Sequence, residues 1–143
     1  MTQEHKDLLL KDLCARLPYG VKIDNIGVPC KLASINNKYR IIVEDIAGYK
    51  NPSFDLPKLD VLEIEDANPY LFPLSSMTEK QKQEYAYIVN YISSDDTENW
   101  KEGEFIYVEQ FTQLMHFYHI NHLDYMGLIP MGLAIDATGL NIY

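Results

Sequence analysis

Along the first residues of the chain, apolar positions recur with helical spacing. Leu9, Leu10, Leu13 and Leu17 fall on one face, Lys6 lies at its edge, and Thr2 stands where its hydroxyl can cap the first turn. Pro18-Tyr19-Gly20 stops this helix. The pattern then shortens to strand-sized pieces over 21–23, 28–35 and 39–44. Asp24-Asn25-Ile26-Gly27 and Asn36-Asn37-Lys38 separate them, both rich in residues that favour tight turns. Cys30, Leu32 and Ser34 point one way and Lys31, Ala33 and Ile35 the other; Tyr39, Ile41 and Val43 likewise alternate with Arg40, Ile42 and Glu44. Leu59, Val61, Leu62 and Ile64, edged by Asp60, Glu63, Glu65 and Asp66, read as a fourth strand on an acidic rim. A small antiparallel meander follows, or its closure as an SH3-like barrel.

The second half changes period. Asn68-Pro69-Tyr70-Leu71-Phe72-Pro73 excludes helix, since each proline also biases its predecessor toward extended backbone, and predicts an extended strap across the sheet. Ser76 with Glu79 forms a capping box that starts a helix over 77–93, with Tyr85, Ile88, Val89 and Ile92 as its buried stripe and Gln81 one turn earlier. The polar run 94–99, with acids continuing through Glu102 and Glu104, reads as a solvated loop; it lacks the pattern of a calcium loop. Within 105–129 a third helix carries Val108, Phe111, Leu114, Met115, Tyr118 and His122 along one stripe, with Gly127 placed for its left-handed exit. Residues 130–136 then supply one more strand, and 137–143 tail off. The expected class is α+β in a single domain, 1–143, comprising helix and sheet to 66, a strap over 67–76 and a helical half from 77.

Three of the four histidines crowd into this last helix. Residues three apart are helical neighbours, so His119 and His122 within the His116–His122 cluster, with Asp124 adding an oxygen, are the candidate metal ligands. The familiar zinc-helix spacing sets two histidines four apart beside a glutamate, which is not the pattern here. The favoured reading therefore has no metal and no cofactor, with His122 packed or capping and the other two solvated.

Charge and composition narrow the function. A net charge of −9 with only two arginines, Arg16 and Arg40, argues against direct nucleic-acid binding. No stretch has the ~20 apolar residues of a membrane span, and two cysteines, Cys14 and Cys30, make no disulfide framework, so a cytoplasmic location is expected. No glycine-rich phosphate loop or nucleophile motif is present, which weighs against an enzyme. Eleven tyrosines favour a protein partner, a second copy of the chain included, with Tyr87, Tyr107 and Tyr125 as interface candidates.

Three stretches carry a resemblance: residues 13–22 (LCARLPYGVK), 69–79 (PYLFPLSSMTE) and 122–129 (HLDYMGLI) with Gly132-Leu133-Ala134. They resemble a family of small proteins found in Bacteroidetes genomes and in their phages and prophages. In that family the last stretch usually has an arginine where Met126 stands and a second histidine where Asn121 stands. The resemblance spans nearly the whole chain, least in the middle strands, and implies a phage or mobile-element context without an activity. The expected function is a small non-enzymatic binding or accessory protein. An acidic inhibitor of a host protein is the sharper alternative, and a metal-dependent enzyme using the His116–His122 cluster the other.

Overall fold

The computed structural model describes residues 1–36, 39–45, 50–51, 56–93 and 100–143, with side chains described outside 50–51, 56–57, 90–93 and 100–108. Thr2 caps α1 (Gln3–Arg16), its Oγ1 accepting the His5 N–H. A 3-10 turn over Leu17–Tyr19 extends the helix, and Gly20 ends it at φ 70°, a left-handed conformation that glycine adopts without a Cβ penalty. The meander follows as β1 (Lys22–Asn25), β2 (Val28–Ile35) and β3 (Arg40–Asp45), all antiparallel, with a bulge between Leu32 and Ser34. Its apolar face is the expected one: Ile23, Cys30, Leu32, Ile41 and Val43 are buried against Leu9 and Leu13 of α1.

Two short strands, β4 (Lys50–Asn51) and β5 (Leu56–Pro57), pair with each other, and β6 (Leu59–Glu63) joins β3. β6 is an edge, so it buries only one side: Leu59 and Val61 face outward, and Ile64 enters the core from a 3-10 turn after the strand ends. The expected strap is instead a working strand. β7 (Asn68–Leu71) pairs antiparallel with β1, and β8 (Ile135–Asp136) adds to it in parallel, giving the order β6-β3-β2-β1-β7-β8. Pro69 fits this ladder because β7 makes only a two-residue pairing with β1.

α2 (Glu79–Ser93) is capped one position pair later than the sequence suggests. Thr78 and Gln81 form the reciprocal box, the Gln81 N–H donating to Thr78 Oγ1 and the Thr78 N–H to Gln81 Oε1. Ser76 lies in a preceding 3-10 turn and donates its hydroxyl to Pro73 O. Ile88 is buried and Tyr85 half-buried, as their spacing requires, while the predicted loop 94–99 lies outside the described residues.

α3 (Trp100–Ile120) is rotated from its expected setting. Gln110, Phe117 and Tyr118 are buried with Leu114 between them, whereas Phe111 is 60% exposed. The helix also stops two residues before His122. His122 takes φ 53°, its N–H donating to His119 O while the Leu123 N–H reaches Tyr118 O, so a histidine occupies the left-handed exit usually given to glycine. Gly127, at φ 74°, serves the following turn. Phe72 then bridges the chain at Leu123: the Phe72 N–H donates to His122 O and the Asp124 N–H to Phe72 O.

Residues 137–143 do not tail off. The Tyr143 ring stacks on His122 at 3.7 Å, its hydroxyl donates to Tyr70 O, and the Lys22 N–H donates to it. Burial pushes the Tyr143 phenol up to about 12.

Candidate functional site

The described residues form two apolar clusters, one between α1 and the sheet, the other between α2 and α3 around Ile88, Phe117, Tyr118 and Leu123. A charged pair lies at their junction. Asp12 and Arg16 follow Leu9 at +3 and +7, on the same helical face as Leu13, so the core face of α1 carries two charges inward. Arg16 Nε donates to Asp12 Oδ2 at 2.7 Å with both side chains fully buried, and Arg16 Nη2 donates to Leu123 O at 2.8 Å. Asp12 Oδ1 and Arg16 Nη1 are buried without a hydrogen-bond partner among the described residues. Burial pushes the Asp12 carboxyl up, opposed by the Arg16 guanidinium.

Aromatic rings carry this polarity outward. The Arg16 guanidinium lies 5.2 Å from the centre of the Tyr125 ring, which stacks on Tyr118 at 4.9 Å. Tyr125 Oη pairs with His119 Nε2 at 2.9 Å. Tyr19, set by the 3-10 turn after α1, places its ring 5.2 Å from His119 and its hydroxyl 3.0 Å from His116 Nδ1. Burial, with Arg16 and His116 nearby, lowers the His119 pKa and favours the neutral ring.

His116 and His119 reach a groove of about 610 Å³ between α2 and α3. Its walls are largely apolar, with Ile88, Met115 and Phe117 lining it beside the rings of Tyr19 and Tyr87. Tyr87 is 73% exposed. Glu84, one turn before Tyr87 on α2, is the one carboxylate on the lining among the described residues. The groove thus combines aromatic faces, a carboxylate and two tyrosine-bound histidines.

The predicted metal ligands do not converge. His119 faces Tyr125 and Tyr19, whereas His122, past the helix end, stacks on Tyr143. Asp124 spends both oxygens on the backbone, accepting the N–H groups of Leu128 and Ile129 at 2.8 Å each, so it caps the next turn. Among the described residues no group of three metal-ligating side chains is placed to hold an ion. His116 is exposed, as expected, and pairs with Tyr19, whereas His119, also expected in solvent, is buried against Tyr19 and Tyr125, because α3 is rotated from its predicted setting.

The interface candidates also divide. Tyr87 stands free on the groove rim; Tyr125 is engaged internally by Tyr118, His119 and Arg16; Tyr107 lies in α3 with its side chain outside the described residues. Asp12, Arg16, Tyr19 and Glu84 belong to the site and were not singled out by their residue types. The signal for the first two was present, since charges four apart on a leucine face must be paired or exposed. No helix among the described residues is long and apolar enough to cross a membrane. The chain matches no protein-family model, no curated protein and no solved structure.

Proposed function

We propose that this chain is a small non-enzymatic protein-binding module whose recognition surface is the α2–α3 groove. The observation that carries the reading is Tyr87, 73% exposed on the rim of an apolar groove. Phe111, 60% exposed and one turn from the groove residue Met115, extends the same face. Large aromatic groups left in water beside a concave apolar surface mark protein-contact sites more often than folding cores. A cytoplasmic accessory protein of phage or mobile-element origin fits this reading, and that origin rests on the sequence resemblance. The net charge of −9 favours the version in which a host protein with a basic surface is engaged and inhibited.

A photo-crosslinking residue at position 87, compared with one at the exposed position 4, tests it in the producing cell. A partner captured only from position 87 is then purified, and its direct binding measured by calorimetry. Wild type should bind, and a Tyr87→Ser, Phe111→Ser variant should lose at least tenfold in affinity while keeping its melting temperature. A partner that binds the variant equally well would move the interface off this groove.

A further inference from the structure

Resting on that reading, we infer that the groove takes the cationic side chain of a lysine or arginine from a basic partner protein. The lining sorts by charge in a way an apolar anchor would not need. Among the described residues it contains no lysine or arginine and a single carboxylate, Glu84. Glu84 precedes Tyr87 by three residues on α2, which sets the carboxylate and the phenol ring side by side on one helical face. Among the described residues Glu84 has no hydrogen-bond or ion-pair partner, although Lys82, two residues away, is drawn to Glu79 at 3.1 Å. Tyr19 faces the groove from the 3-10 turn, so a second aromatic ring is available to a cation held by Glu84. Ring faces carry negative potential and attract an ammonium or guanidinium, and the neighbouring carboxylate adds a full charge. His119, kept toward its neutral form by burial, does not oppose a cation there. The net charge of −9 acts at longer range, raising the encounter rate with a basic surface.

The probes are Nα-acetyl-lysinamide and its uncharged isostere Nα-acetyl-norleucinamide, each titrated into the full chain and followed by backbone amide shifts. The lysine probe should give saturable shifts at Tyr87, Gln113 and His116, with norleucinamide about tenfold weaker. Glu84→Gln should weaken the lysine probe five- to tenfold and leave norleucinamide unchanged, while Glu79→Gln, on the same helix outside the groove, should change neither. Equal affinity for the two probes, or indifference to Glu84→Gln, overturns the cation assignment. In that case crosslinking from position 87 still decides the protein-binding reading, which stands if a partner is captured there and falls if none is.

Discussion

His122 supplies the sharpest quantitative test, because burial lowers its pKa from 6.5 to about 4, with Arg16 and Lys22 adding to the effect. Its ring stacks on Tyr143, and its Nδ1 is buried without a partner. A histidine whose folded pKa lies below its unfolded one takes up a proton more readily when the chain unfolds. Its contribution to stability is therefore complete above pH 6.5 and drains away as pH falls toward 4. At about 1.4 kcal/mol per pH unit, the full span amounts to about 3 kcal/mol, of which about 2 kcal/mol is lost by pH 5. Asparagine tolerates the left-handed backbone at this position and does not titrate, so His122→Asn removes the pH term without forbidding the helix exit. Urea unfolding of both proteins at pH 7.5 and 5.0, followed by helical circular dichroism, isolates the effect; His119 and Asp12 titrate in both and cancel. Wild type should lose about 2 kcal/mol more than the variant between the two pH values. Parallel losses, or a His122 ring proton titrating near 6.5 by NMR, would refute the dry, stacked environment on which the calculation rests.

Other expectations follow from the same contacts. Arg16→Met strands the Asp12 carboxylate in the core and should cost about 3–5 kcal/mol in chemical unfolding, whereas Asp12→Leu with Arg16→Met should recover most of it; a double variant no better than the single would remove the desolvation argument. Asp124→Asn weakens two charge-assisted bonds to Leu128 and Ile129 and should destabilise by about 2 kcal/mol, with faster amide exchange confined at first to that turn. Ile26 is 97% exposed at φ 53° in the two-residue turn before Gly27, so Ile26→Asn should stabilise by about 1 kcal/mol, read as a higher melting temperature.

Local pattern accounts for most of the first half of the fold. Thr2, the Leu9–Leu13 face and the alternation through Cys30, Leu32, Ile41 and Val43 are short-range signals, and each lands where the spacing puts it. The failures share a different cause. β7 reads as a strap because its partners, Ile23 and Ile135, lie far away in sequence, and pairing leaves no mark on a single strand. Apolarity alone places Phe111 on the buried face of α3, while the fold buries Gln110 and exposes Phe111. The disfavoured metal reading needs a helix that continues through His122, and the left-handed exit at His122 removes it; histidine is enriched there but uncommon enough that spacing alone gives no sign of it. Of the site, Tyr87 was legible from its position off the α2 stripe. The Asp12–Arg16 pair was legible in spacing but hidden by the habit of placing charges outside.

The bond from Arg16 to the carbonyl of Leu123 joins residues 107 apart. During synthesis, α1 and the meander leave the ribosome long before that carbonyl exists. The leucines of α1 can gather the early strands around them, but the guanidinium beside them has only half of its eventual neighbours. Completion of the core around that guanidinium is thereby tied to a late stretch of the chain. The surroundings of a charge buried in the first helix are thus complete only when the segment that carries Leu123 and Tyr125 is in place.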